Sequence, residues 1–106
     1  MSTPKDVFLT SEQRATLQGL LGRYLPGNTA WIYGSRVNGR ATARSDLDMV
    51  VFASADQRRQ ISDLREALEE SNLPFRVDLF VWDEVPESFK TNIEKESVCL
   101  TPSGNE

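Results

Sequence analysis

One stretch, from Gly34 to Asp48, constrains the fold and the chemistry of this chain more than any other. The pair Gly34-Ser35 follows an apolar run at 31–33, and after ten intervening residues Asp46 and Asp48 open a second apolar run. Short apolar runs bounded by turn-forming residues are typical of strands. The stretch therefore predicts two strands joined by a connection that carries the polar groups of a binding site.

The two aspartates are predicted to lie on one face of the second strand. Side chains alternate along a strand, so Asp46 and Asp48 project together while Leu47 points the other way. Close carboxylates repel each other unless a cation lies between them, and oxygen ligands without histidine or thiolate suit Mg²⁺ or Mn²⁺. The spacing therefore predicts a divalent metal site.

The Gly-Ser pair predicts a phosphate site beside this metal. Gly34 allows the backbone to approach a ligand closely, and Ser35 offers a hydroxyl and an amide where a short helix begins. Arg36, Arg40 and Arg44 follow with no acidic residue among them. Arg36 and Arg44 are candidate contacts to a triphosphate, and the alternative is that these loop arginines are simply solvated.

Periodicity and turn signals predict an α/β chain of the α+β type, with a small mixed sheet and helices packed on it. The expected elements are a helix from the capping box Thr10/Gln13, strands at 29–33 and from Asp46, a helix from Ser54 to about Ser71, a strand at 75–82, a helix from Pro86 and an edge strand at 98–100. If the first two strands pair antiparallel, Ser35 and the aspartate pair become neighbours. The third strand follows a helix, so a right-handed crossover should make it parallel to the second.

A third carboxylate, Asp78, lies inside the apolar third strand. An unpaired ionised carboxylate in such a setting is costly, and the metal site is the nearest candidate partner. Asp46, Asp48 and Asp78 are therefore the predicted catalytic and metal-binding residues. The large apolar residues nearby are expected to form core, with Phe89 and Ile93 on the buried side of the last helix and with Trp31, Tyr33, Phe52, Phe80 and Trp82 on the strands.

Composition bounds the remaining possibilities. The 106 residues predict one domain spanning 1–106, with flexible ends at 1–9 and 101–106. Without histidine, triads and histidine-ligated zinc are excluded, and carboxylates are the plausible bases. No apolar run approaches the ~20 residues of a membrane span. The N-terminus lacks a secretory signal and Cys99 is the single cysteine, so we expect a cytoplasmic protein.

The acidic charge is local. Residues 1–82 carry ten acids and ten bases, whereas residues 83–106 carry six acids and two lysines, which gives the net charge of −4. This balance argues against an extended nucleic-acid surface. Clustered acidic charge favours association with a basic partner.

Taken together, these motifs resemble the minimal nucleotidyltransferases (MNT) of the DNA polymerase β superfamily. The resemblance rests on Gly34, Ser35, Asp46, Asp48 and Asp78, and it extends over about residues 28–95 through Gly-Ser-Arg-Val-Asn-Gly, Ser-Asp-Leu-Asp and Leu-Pro-Phe-Arg-Val-Asp-Leu. It implies a polymerase-β-like core. Members of this size resemble the antitoxin of HEPN/MNT toxin–antitoxin pairs. In those pairs the antitoxin transfers AMP from ATP to a tyrosine of the HEPN ribonuclease toxin.

The resemblance thus implies a Mg²⁺-dependent protein adenylyltransferase that uses ATP and forms a hetero-oligomer with a HEPN toxin. A second interpretation is an antitoxin that neutralises its toxin by binding, with little or no transfer. A third, an aminoglycoside nucleotidyltransferase, is less favoured because no second domain exists to hold the acceptor. Nucleotide preference, the acceptor residue and the stoichiometry are not encoded in any motif.

Overall fold

The computed structural model describes residues 8–39, 41–42 and 44–100, and the side chain of residue 38 is not described. Its elements are α1 (Ser11–Tyr24), β1 (Ala30–Tyr33), α2 (Ser35–Asn38), β2 (Leu47–Val51), α3 (Arg58–Glu69), β3 (Val77–Val81), α4 (Glu87–Lys95) and β4 (Val98–Cys99), with short 3₁₀ turns at Ala55–Gln57 and Trp82–Glu84. The expected order of elements is confirmed.

The strands form one mixed sheet in the order β3-β2-β1-β4. β1 and β2 are antiparallel, which sets Tyr33 opposite Asp48. β2 and β3 are parallel, which sets Asp48 beside Asp78. Both predicted pairing directions are confirmed, as is the edge strand β4 on β1. The register brings two of the predicted carboxylates together on neighbouring strands.

The main core lies between one face of the sheet and the helices α1 and α3. The capping box predicted at Thr10 and Gln13 is present, with both hydrogen bonds at 3.0 Å, and it starts α1. Removing the apolar faces of both helices from water is the main source of stability here. The residues that fill this core include Leu17, Leu21, Leu25, Ile32, Leu47, Met49, Val51, Ile61, Leu64, Leu68, Leu79 and Val81.

The opposite face of the sheet carries a smaller cluster, and it is the face of Asp48 and Asp78. Val50 packs there against Val85 and Ile93, so α4 covers part of this face. Partly buried Trp31, Tyr33 and Trp82 border the cluster. The helices therefore cover the two faces unequally, which leaves the aspartate end of the second face accessible.

Two aromatic residues lie outside the core, contrary to the sequence prediction. Phe89 is 60% exposed and Phe80 is 44% exposed. Ile93 is buried as predicted, but Phe89, one turn earlier on the same helix α4, is not. β3 is an edge strand of the sheet, and the Phe80 side chain that projects from it is only partly covered.

The outer edge of β3 is contacted by α3. The guanidinium of Arg65 donates a hydrogen bond to the Leu79 carbonyl at 2.9 Å. This contact satisfies a carbonyl that has no neighbouring strand on that side.

The chain ends were expected to be flexible, and residues 1–7 and 101–106 lie outside the described residues. Of the expected leader, Phe8 is held, because its amide donates to the Arg36 carbonyl at 2.8 Å. In the described part of the chain, no helix is both long and apolar enough to cross a membrane.

Adjacent residues of β3 should respond differently to truncation. Leu79→Ala should lower the free energy of unfolding by about 2–5 kcal/mol, because it leaves a cavity in the main core. Phe80→Ala should lower the free energy of unfolding by about 1 kcal/mol or less, since that side chain is already in contact with solvent. Urea denaturation of both variants checks this, and equal losses would contradict the face assignment.

Candidate active site

Gly34 lies between β1 and α2, and its backbone has a conformation that favours glycine. Its φ is 86° and its ψ is −154°. A Cβ at this position would lie 3.3 Å from Cγ of Asp48 and closer still to Oδ2 of that carboxylate. Glycine is therefore required twice, for the positive φ and for the space that the Asp48 carboxylate occupies.

The three predicted carboxylates gather at this edge of the sheet. Asp48 and Asp78 are half-buried neighbours on β2 and β3, and Asp46 is exposed immediately before β2. Burial raises the pKa of Asp48, and the negative charges of Asp78 and Asp46 raise it further. Among the described residues, Asp48 has no hydrogen-bond or ion-pair partner. Its carboxylate thus bears a charge that nothing in the described chain neutralises.

The carboxylates do not form a closed metal cage. No group of three or more His, Cys, Asp or Glu side chains in the described residues is arranged to hold a metal ion. Asp78 instead accepts a hydrogen bond at 3.0 Å from Nε of Arg76, whose side chain is 77% exposed. Such a solvent-exposed ion pair is weak. The predicted assignment of Asp46, Asp48 and Asp78 to metal therefore stays a prediction, supported by an all-oxygen donor set at one edge.

Tyr33 packs against the smaller core cluster, in line with its predicted core position, and it also lies beside the carboxylates. Burial, followed by the charges of Asp48 and Asp78, raises the pKa of Tyr33 to about 12. Its hydroxyl therefore keeps its proton at neutral pH and is a donor. The signal that locates it is its position, directly before Gly34 and opposite Asp48.

Arg36 is buried and contacts the protein itself. The residue is 2% exposed, with Nε and Nη2 donating to the Ser45 carbonyl at 3.0 and 2.7 Å and Nη1 donating to the Phe8 carbonyl at 2.6 Å. The guanidinium also lies 3.9 Å from the ring centroid of Phe75. These contacts favour a role for Arg36 in positioning the segments around it, and its contact to phosphate stays a prediction.

The position of Arg36 links the parts of the site. It joins α2 to Ser45, which directly precedes Asp46, and to Phe75, which lies two residues before β3. Ser45 is also tied to Thr42, since the Ser45 amide donates to the Thr42 carbonyl at 3.1 Å. Hydrogen bonds from a charged donor are stronger than neutral ones, so Arg36 contributes most to holding the loop that presents Asp46.

Arg44 has a different environment. It is exposed, and it lines a cleft of about 470 Å³ with Phe8 and Pro74, among other residues. Its phosphate contact stays a prediction, and Arg40 lies outside the described residues. Ser35 is the first residue of α2 and is partly accessible, so its hydroxyl is available for a phosphate.

The sequence is similar to a known family and to a known protein over most of its length. A family model described as Polymerase beta, Nucleotidyltransferase matches residues 16–105. A Haemophilus influenzae protein named probable protein adenylyltransferase MntA is 38% identical over 101 residues, which cover 94% of this chain and 89% of that relative.

Solved structures share the fold. One, assigned as a minimal nucleotidyltransferase, has a TM-score of 0.66 at 25% identity and covers 82% of this chain and 88% of its own. Another, a toxin–antitoxin solved with AMP-PNP, has a TM-score of 0.64 at 21% identity and covers 86% of this chain and 73% of its own. The mixed sheet that carries the carboxylates is thus part of a shared fold.

Replacing Arg36 by lysine should destabilise the chain. Lysine keeps the charge but loses the planar guanidinium that spans the Ser45 and Phe8 carbonyls, so the free energy of unfolding should fall by about 1.5–3 kcal/mol. Arg44→Lys is the matched control and should change it by less than about 0.5 kcal/mol, because Arg44 is exposed. Chemical denaturation measures both, and equal effects would remove the positioning role.

The unneutralised Asp48 charge should cost stability when no cation is present. In chelator, Asp48→Asn should therefore raise the melting temperature, because it removes a half-buried charge that faces two like charges. In millimolar Mg²⁺ the wild type should gain stability while Asp48→Asn gains little, since a ligand that binds only the folded state stabilises it. A wild-type melting temperature unaffected by Mg²⁺ would contradict the metal assignment.

Proposed function

Because this chain belongs to the polymerase β nucleotidyltransferase family, among its minimal nucleotidyltransferases, we propose that it transfers AMP from ATP to a hydroxyl group of a partner protein. The observation that carries the proposal is the pairing of Asp48 with Asp78 in register, next to the Gly34-Ser35 turn. The name of the 38% identical relative, a protein adenylyltransferase, supports the choice of AMP and of a protein acceptor.

The residues present fit a Mg²⁺ or Mn²⁺ ion. Asp46, Asp48 and Asp78 supply only oxygen ligands. Burial, and then the charges of Asp78 and Asp46, raise the pKa of Asp48, and a cation would offset both effects. When bound, the cation stabilises the negative charge that develops on the transferring phosphoryl group and on departing pyrophosphate. Asp46 and Asp48 would supply most of the ligands to the cation. Asp78 would add a ligand on the side where the acceptor hydroxyl binds.

Side chains and amides of this chain would bind and orient ATP, and one side chain would deprotonate the attacking hydroxyl. The Ser35 hydroxyl and the amides at the start of α2 would hold phosphate oxygens, and the protonated Tyr33 hydroxyl would donate to another. Asp78 would accept the proton of the attacking hydroxyl. The acceptor oxygen then forms a bond to the α-phosphorus of ATP while the bond from that phosphorus to the β-bridging oxygen breaks, which releases pyrophosphate.

The partner we propose is a HEPN ribonuclease toxin, and the acceptor a tyrosine of that toxin, so this chain would be the antitoxin of a hetero-oligomer in the cytoplasm. A structural neighbour that is a toxin–antitoxin solved with AMP-PNP supports both a toxin partner and a nucleotide substrate. The local excess of acidic charge in 83–106 suits association with a basic protein.

Neutralisation by binding alone is the second candidate. The exposed acidic residues around α4, among them Asp83, Glu84, Glu87 and Glu94, favour association whether or not transfer follows. The carboxylates favour catalysis, since a binding module has no use for two half-buried acidic side chains held in register on neighbouring strands.

Incubation with labelled ATP tests the reaction directly. The purified chain, Mg²⁺ and the protein encoded beside it should yield a labelled partner whose mass has increased by one or more AMP groups. Chelator should abolish both the label and the binding of a non-hydrolysable ATP analogue in calorimetry. Binding of the analogue without labelling of the partner would favour neutralisation by binding.

Two isosteric substitutions should separate chemistry from nucleotide binding. Asp78→Asn should retain the ATP analogue and lose transfer by at least about 10²–10⁴-fold, because a positioned base contributes that much. Asp48→Asn should lose both, since it removes a principal metal and triphosphate ligand. Transfer rate, analogue affinity and melting temperature are measured for each variant.

The control is the folded state of each variant, checked by its melting temperature. Near-normal transfer by folded Asp78→Asn would show that Asp78 is structural and that another group accepts the proton. If Asp78→Asn still rescued cells from the partner's toxicity, neutralisation would proceed through binding.

A further inference from the structure

We propose that an exposed apolar patch beside the site, formed by Phe80, Pro86 and Phe89, is the docking surface for the acceptor. The segment it accepts is a stretch of polypeptide with an apolar or aromatic side chain flanked by lysine or arginine. This inference rests on the proposed transfer to a protein hydroxyl, and it names the surface and the chemistry that would select that protein.

The patch combines two of the large apolar side chains that the described residues expose. Phe80 is 44% exposed and Phe89 is 60% exposed. Single exposed apolar residues are ordinary, but these two line one cleft of about 240 Å³ together with Val81, Val85 and Tyr33. A concave apolar surface of this kind suits a side chain from a partner.

The patch is continuous with the carboxylates. Phe80 and Asp78 are two residues apart on β3, so both project from the same face of the sheet, about 7 Å apart along the strand. Tyr33 lies opposite Asp48, and its ring centroid is 6.5 Å from that of Phe80. A side chain seated on the patch would therefore place a neighbouring hydroxyl near Asp78, on the acceptor side of the site.

Charge specifies the partner further. Glu84 lines the cleft and the neighbouring Asp83 is exposed, and neither forms an ion pair with any described residue. Glu87 makes only a 3.5 Å contact with Lys90. Arg65 also lines the cleft, but its Nη2 donates to the Leu79 carbonyl. With Asp48 and Asp78 on the other side, the surroundings are acidic, which favours basic residues beside the docked side chain.

Fluorescence anisotropy with two short labelled peptides tests the proposal on the full chain. One peptide holds a tyrosine and a leucine between lysines, and the other has glutamate in place of each lysine. Wild type should bind the lysine peptide and bind the glutamate peptide at least about tenfold more weakly. Phe80→Ser with Phe89→Ser should weaken binding of the lysine peptide at least about tenfold, because it removes the apolar anchors.

Matched variants control for folding and for charge. Phe80→Leu with Phe89→Leu keeps the surface apolar and should bind within about threefold of wild type. Glu84→Lys should weaken binding of the lysine peptide, whereas Glu70→Lys, an equal change at an exposed position at the end of α3, should not. Equal effects of the two lysine substitutions would show that only the net charge of the protein matters. They would overturn the role of Glu84 in selecting the basic peptide.

Three further results would overturn the docking surface. They are no binding of the lysine peptide by wild type, a loss of ATP-analogue affinity in the double serine variant, and a wild-type dimer that this variant dissociates in sedimentation. The second result would assign the patch to the nucleotide base and the third to a second copy of the chain. Peptide binding that depends on the patch, with no AMP transfer to any protein, would instead reject the proposed function and retain the docking surface.

Discussion

The register of β2 between its two neighbours is the constraint on which the site depends. Antiparallel pairing with β1 brings Asp48 to Tyr33 and Gly34, and parallel pairing with β3 brings the same residue to Asp78. Side chains alternate along a strand, so a slip of one residue would turn Asp48 into the main core and Met49 out of it. The apolar face that selects the register thus also selects the geometry of the carboxylates.

Holding the carboxylates of the site close together costs free energy, which the rest of the fold offsets. Asp48 is half-buried among like charges, and Gly34 gives up a side chain to make room for it. The opposing contribution comes from the core on the other face of the sheet, where residues such as Leu47 and Met49 are fully buried. Separating stabilising and reactive groups by face lets one short strand serve both, as expected where activity trades against stability.

Much of this architecture was predictable because it depends on local signals. Capping boxes, strand-like apolar runs and the crossover rule predicted the elements, both pairing directions and the neighbourhood of Asp48 and Asp78. The environment of Arg36 was not predictable, since the Phe8, Ser45 and Phe75 contacts that bury it join segments distant in sequence. Helical spacing likewise predicted a buried Phe89, but spacing does not say how much of a helix face the neighbouring elements cover. Deviations of this kind are expected near functional surfaces.

The contact between Arg65 and the Leu79 carbonyl has a consequence for the behaviour of the protein in concentrated solution. β3 is an outer strand, and outer strands with free backbone groups tend to pair with the same strand of another molecule, which leads to aggregation. A long charged side chain over this edge opposes such pairing. The strand that carries Asp78 can thereby lie at the margin of the sheet, open to another protein, without becoming a template for its own fibrils.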